Sequence, residues 1–479
     1  MRVTEGRHAF STKLPQVITG STPQPWAFNL DSPQGIKLLS RRVAERLDEH
    51  IKGAAGRFSA NSEILSPSDG LLWEHGLIRR RGQFRLKPAE TTPSLSIWLN
   101  IVDGCNLSCF YCYIPDLQKS VNPEALGLDR LAMNEVTGEI IAARLVEYCQ
   151  SQGLRRLRVK FAGGEPSLVI DRVDRFCEAV ERRASRLGIA VSFSMLSNAA
   201  FDPERVLPVL KRRRMGIGIS LDGTQMQHDR VRFTRNGSGR VGTWHTIQRN
   251  VERLLQVGVR PYFLFTVTRK NLPDLDSFAD HVHGLGCGFR LSLERSSRPV
   301  DFRLQEATSD ALIGFYSRLA ERAPLDLRFD HDARFAEWDL HRRKAVACST
   351  CRSYVAISRT GEVASCQMAL DRPIGNLLTD PLSDAIERFS ARPDTVKLRE
   401  PQKKTGGCTR CEYRNVCAGG CPQHTQAVSG NSDQPSPWCF VYGTLLPHYV
   451  AACATHLIRR AASLTERVAI PSEATPVTS

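Results

Sequence analysis

"LSIWLNIVDGCNLSCFYC", Leu95–Cys112, runs from an apolar stretch into a loop carrying Cys105, Cys109 and Cys112, spaced Cys-x3-Cys-x2-Cys. The stretch is β-branched and apolar, and Asp103-Gly104 closes it, so it reads as a strand delivering its loop to one end of a sheet. A structural zinc site is closed by four ligands. Three cysteines on one loop can instead hold three irons of a cubane and leave the fourth iron open to a small molecule.

The pattern continues downstream. Further strands are expected at "RLRVKFAG", "AVSFSMLSN", "MGIGISLDG", "RPYFLFTVT" and "FRLSLE". Amphipathic stretches such as "NEVTGEIIAARLVEYCQSQG" and "TWHTIQRNVERLLQVG" separate them. Such alternation predicts a parallel sheet with helices outside it, and six units make a partial (β/α)6 barrel within an α/β fold. A polar motif follows every strand: Cys105, Gly163-Gly164-Glu165-Pro166, Ser197-Asn198, Ser220-Leu221-Asp222-Gly223, Thr266-Val267-Thr268 and Glu294. In barrels of this kind chemistry gathers at the C-terminal ends of the strands.

The chain has 479 residues, 41% of them hydrophobic, which suits two or three domains. "MRVTEGRHAFSTKLPQ" contains no apolar h-region, and no run of eighteen apolar residues occurs, so the expectation is a cytoplasmic protein without a membrane span. Fifteen cysteines, clustered rather than spread, then read as metal ligands rather than a disulfide scaffold. The net charge of +15 comes in short runs, Arg79–Arg81, Arg155-Arg156, Arg212–Arg214 and Arg342–Lys344. These suit solvated helix faces, or a field for an acidic peptide or electron carrier; without interleaved aromatics they do not favour nucleic acid.

With Tyr111 before its third cysteine, the loop resembles the signature of radical S-adenosylmethionine enzymes. The resemblance implies a [4Fe-4S] cluster whose free iron chelates S-adenosylmethionine. One electron then cleaves the cosubstrate to a 5′-deoxyadenosyl radical that abstracts hydrogen. Gly163, Gly164 and Glu165 match the family's GGEP, with Glu165 accepting from the methionine ammonium and the glycines admitting close backbone approach. Ser220 and Arg240 resemble the positions that hold ribose hydroxyl and methionine carboxylate. Ser197-Asn198-Ala199 departs from the more usual Thr-Asn-Gly but keeps Asn198, and Asp222 lies on the same cosubstrate rim. His228, Asp229 and Arg232 match the HDxxR pattern of peptide-modifying members.

Cys408, Cys411, Cys417 and Cys421 form Cys-x2-Cys-x5-Cys-x3-Cys, with Cys348, Cys351 and Cys366 upstream and Cys439 downstream. This arrangement resembles the SPASM domain, which implies two auxiliary clusters: one on Cys348, Cys351, Cys366 and Cys421, the other on Cys408, Cys411, Cys417 and Cys439. Three [4Fe-4S] clusters are therefore expected. Cys149 and Cys177 lie in helical patterns and read as small buried hydrophobes.

The expected organisation is a winged-helix-like peptide-recognition module over 1–94, the radical domain over 95–300, a linker or bridging helix over 301–345, the Cys-rich iron–sulfur domain over 346–460 and a disordered tail over 461–479. The resemblance implies a maturase that cross-links a ribosomal precursor peptide, with the leader on the N-terminal module and a flavodoxin- or ferredoxin-like electron donor. Formylglycine-generating sulfatase maturases are the rival reading. They usually carry Asp as a base after the cysteine matching Cys366, where this chain has Gln367. An iron–sulfur electron-transfer or scaffold protein is the non-enzymatic alternative.

Overall fold

The computed structural model describes residues 93–112, 127–236, 239–295, 300–336, 338–342, 344, 348–392, 408 and 410–469, with N-terminal segments 10–11, 17–20, 24, 26–29, 35–51, 67–74 and 79–80. Its centre is a 10-stranded sheet. Six parallel strands come first: β1 Ser94–Val102, β2 Arg156–Gly163, β3 Ala190–Ser197, β4 Gly216–Ser220, β5 Tyr262–Val267 and β6 Gly288–Leu293. Beyond β6 lies a short parallel strand, β7 Ala333–Phe335. On the other side of β1 come β8 Tyr354–Ile357, β9 Glu362–Ala364 and β10 Gly375–Asn376.

Alternate residues fix the two faces. Leu95, Ile97, Leu99 and Ile101 of β1, and Phe263, Phe265 and Val267 of β5, are buried in the main core. They meet helices such as α1 Glu135–Ser151, α2 Ile170–Ser185 and α3 Trp244–Gln256. The intervening residues are half-buried and line the other, concave face. The sheet curls: burial first, then the charge of Arg290 on β6, lowers the pKa of Lys160 on β2. Those strands lie four places apart, about 19 Å in a flat sheet, where water and salt screen such a charge. The six parallel strands are consistent with the expected partial barrel, and each anticipated polar motif stands at or just beyond a C-terminal strand end.

Three boundaries differ from expectation. The interval 301–345 holds not only a bridging helix, α4 Phe302–Arg322, but also β7, which extends the barrel sheet. The Cys-rich region is not a separate layer: β8 pairs in parallel with β1, Tyr354 opposite Ser96 and Ala356 opposite Trp98. The tail expected from 461 is helical to Ala469, within α5 Cys439–Ala469. That helix buries Val441, Leu445, Tyr449, Val450 and Ile458 in the core, so its apolar stripe carries it past the last cysteines. Residues 470–479 lie outside the described ones.

At the N-terminus one helix spans Arg41–Ile51 and a second spans Pro67–Glu74. Ahead of them is an antiparallel meander, Val17–Gly20, Trp26–Asn29 and Lys37–Leu38. Its middle strand turns Trp26 and Phe28 into the main core, while Ala27 joins a small cluster with Leu39, Val43, Leu47 and Leu72. The region is thus anchored to the barrel rather than tethered beside it. No helix among the described residues is long and apolar enough to cross a membrane.

Candidate active site at the strand ends

The three-cysteine loop leaves β1 and is pinned on three sides. Beneath it, Gly164 N–H donates to Val102 O at 2.7 Å and Glu165 N–H to Gly104 O at 2.9 Å. A Cβ on Gly164 would sit 1.9 Å from Gly104 O, and one on Gly163, where φ is +127°, 2.3 Å from Val102 O. The glycines therefore admit the backbone of the cysteine loop.

On the second side, Glu165 is fully enclosed. Its Oε1 accepts from Ser197 Oγ at 2.8 Å and Ser167 N at 3.1 Å, its Oε2 from Asn198 N at 2.7 Å. A carboxylate has about four acceptor positions, so one on Oε2 remains for a further donor such as an ammonium. Burial pushes its pKa up against these hydrogen bonds. Asn198 in turn donates to Asn106 Oδ1 at 2.8 Å and lies 3.8 Å from Cys105 Sγ, while Asn106 donates to Ala200 O at 2.7 Å. Asn106 was missed in the sequence; its signal is an amide directly after a ligand-type cysteine.

On the third side, Asp222 is fully buried. Its Oδ2 accepts from the Tyr111 hydroxyl and from Arg232 Nε at 2.6 Å, its Oδ1 from Thr266 N at 2.7 Å. Arg232 also lies 5.3 Å from the Tyr111 ring centre and reaches Cys109 Sγ at 3.6 Å. Asp222 thus fixes the cysteine loop from behind, which differs from its expected place against the cosubstrate. His228 is buried; its Nδ1 accepts from Asp222 N at 3.3 Å and its Nε2 meets Thr243 Oγ1 at 3.1 Å. Burial, helped by Arg232, pulls its pKa down to about 3, so the imidazole is neutral. Asp229 caps α3, accepting from Thr243 N at 2.8 Å and Trp244 N at 3.0 Å. The HDxxR residues hold loops.

Ser220 ends β4, half-buried beside Leu264 of β5. Arg240 lies on an exposed hairpin, Phe233–Asn236 with Gly239–Gly242, its guanidinium 4.4 Å from the Phe233 ring centre. The Phe233 carbonyl accepts from Ser108 N at 2.8 Å, so Arg240 stands at the edge of the cysteine loop.

The residues present fit a cluster bound here. Burial raises the Cys109 pKa to about 11 although Arg232 opposes it, and burial followed by Glu165 raises that of Cys105. Such thiols stay protonated until a metal takes them as thiolates. Backbone Leu107 N already points at Cys105 Sγ from 3.4 Å. Among the described residues no three His, Cys, Asp or Glu side chains converge on one metal ion; a cubane instead takes one thiolate per iron corner.

Among the C-terminal thiols, charges act within two sets. Burial, then Cys421 and Cys348, pushes Cys366 up to about 12, while Cys348 feels Cys421. Cys417 is pushed up to about 12 by burial, with Cys439 and Cys411 adding to it, and Cys439 feels Cys408 and Cys411. Cys351 is buried with positive φ, 51°, and its charge reaches Tyr148 of α1. Cys149 and Cys177 are buried in the core, as expected.

The three-thiol loop thus stands at the head of the parallel sheet, over a buried glutamate. Residues 99–282 match the model of the Radical SAM superfamily. Over 357 residues the chain is 23% identical to the serine-type anaerobic sulfatase-maturating enzyme of Klebsiella aerogenes, covering 72% of this chain and 84% of that one. It is 30% identical over 169 residues to the cysteine-type anaerobic sulfatase-maturating enzyme of Clostridium novyi (strain NT), covering 35% and 42%. A structure of anSMEcpe with bound AdoMet and Cp18Cys peptide superposes with a TM-score of 0.58 at 16% identity, covering 78% of this chain and all of that one. The fold is shared.

Proposed function

We propose that this enzyme is a peptide maturase that closes an intramolecular C–C or thioether cross-link in a ribosomal precursor peptide. In this reading Cys105, Cys109 and Cys112 hold a [4Fe-4S] cluster, which supplies the electron that cleaves S-adenosylmethionine. Glu165 takes the methionine ammonium on its remaining acceptor position, and Ser220 and Arg240 are the residues for ribose and carboxylate. Cys348, Cys351, Cys366 and Cys421 bind one auxiliary cluster, and Cys408, Cys411, Cys417 and Cys439 the other. A flavodoxin- or ferredoxin-like protein is the donor, and the N-terminal module takes the leader as an added strand.

The observation that carries the reading is Gln367. Its Oε1 accepts from the Tyr354 hydroxyl. An amide there can position a substrate but has no useful pKa, whereas formylglycine formation needs a base at the oxidised carbon. Ring closure after hydrogen abstraction releases one electron and one proton, so the product loses two hydrogens. The sulfatase-maturase reading keeps support from the names of the curated relatives. Tandem mass spectrometry of a precursor co-expressed with the enzyme separates the two. Loss of two hydrogens, with blocked fragmentation across the ring, is the expected result. A hydrazide-reactive aldehyde at Ser or Cys would refute the proposal.

A further inference from the structure

The concave face of the sheet collects hydrogen-bond donors. Trp98 of β1 lies opposite Lys160 of β2, whose ammonium is 6.0 Å from the indole ring centre. The Trp98 Nε1 is closed off from water and has no acceptor among the described residues. No described carboxylate pairs with Lys160. Burial first, then the charge of Arg290 on β6, lowers the Lys160 pKa. On β8, Tyr354 faces Ser96 and spends its hydroxyl on Gln367 Oε1, leaving the Gln367 N–H donors for another acceptor. A lysine ammonium in a partly dry cleft without a carboxylate beside it is costly, and an orphaned indole N–H adds its own desolvation cost. One anionic group with two oxygens placed between them removes both penalties.

We infer that the concave face is a carboxylate subsite built on Lys160 and Trp98, and that an Asp or Glu side chain of the substrate occupies it. The inference rests on the peptide-substrate reading and adds the chemistry of the residue that the enzyme selects. The carboxylate of S-adenosylmethionine is the other source of the same chemistry, and the experiment distinguishes the two.

The reconstituted enzyme with bound S-adenosylmethionine is titrated with acetyl-Gly-Gly-Asp-Gly-Gly-amide and with its Asn counterpart, followed by ligand-observed NMR. A charge-assisted hydrogen bond predicts that the Asp peptide binds at least about ten-fold tighter. The preference should vanish in Lys160→Met, return in Lys160→Arg and fall by roughly three-fold in Trp98→Phe, which removes only the N–H. Equal binding of both peptides, no binding of the Asp peptide at about 10 mM, or a preference that survives Lys160→Met overturns the inference. A ten-fold loss of S-adenosylmethionine affinity in Lys160→Met with the peptide preference intact assigns these cations to the cosubstrate and overturns it too. Binding is read without turnover, so failure here leaves the precursor mass test standing.

Discussion

Gly164→Ala tests whether the GGEP turn serves the cysteine loop. The new methyl carbon would lie 1.9 Å from Gly104 O and 2.3 Å from Gly104 C, both backbone atoms that no rotamer change can move. Ordinary contact needs about 3.4 Å, so the Cys105 loop and the end of β2 must separate by more than an ångström. That breaks Gly164 N–H to Val102 O and Glu165 N–H to Gly104 O. Each lost buried bond costs about 1–3 kcal/mol, so the local penalty is roughly 2–6 kcal/mol, concentrated at the three-thiol loop. The outer core and the C-terminal thiols are untouched. Anaerobic reconstitution should fall from about 12 to about 8 iron atoms per chain, and release of 5′-deoxyadenosine should be lost. Gly216→Ala is the control, since its Cβ would meet only Ser194 Cβ at 3.9 Å. Full iron content and normal cosubstrate cleavage in Gly164→Ala would refute the packing role.

Arg232→Met should lower unfolding free energy by about 3–5 kcal/mol, because it leaves the Asp222 carboxylate buried without its cation; chemical denaturation measures this, and adding Asp222→Asn should recover part of the loss. For His228 the folded pKa of about 3 lies below the ordinary value of 6.5. The unfolded chain therefore binds the proton first, and the stability held at neutral pH is lost as pH falls below 6.5. Urea unfolding between pH 7 and 5 should show a steeper decline in the parent than in His228→Gln, and parallel slopes would contradict the assignment. Deleting residues 1–90 should weaken precursor binding; the buried Trp26 and Phe28 go with it, so thermal stability falls too.

Periodicity made the barrel readable, because apolar residues at alternate positions of β1 and β5 state both the strand and its buried face. The loop cysteines were readable because so few ligand sets place three thiols in eight residues. What stayed hidden depends on distant partners. Nothing local says that "YVAI" pairs with "SIWL", or that Asp222 looks back at Tyr111 rather than forward at a ligand. Gly163 and Gly164 announced close approach, but not to what. The meander at 17–38 was missed because its strands are short and their apolar residues serve two different cores. Lys160 read as one polar residue in an alternating strand; only the curl of the sheet brings Arg290 to it.

The pairing of β8 with β1 also has a timetable. About 250 residues separate the two strands, and at a synthesis rate of about 5–20 residues per second the second follows the first by about 12–50 s. Throughout that interval one edge of β1, the strand that carries the cysteine loop, waits without its final neighbour, an open template for another chain. When β2 and β3 come down beside it, the C-terminal thiols do not yet exist. Assembly thus runs in an order written into the topology. The species most open to wrong pairing is a nascent barrel with one raw edge.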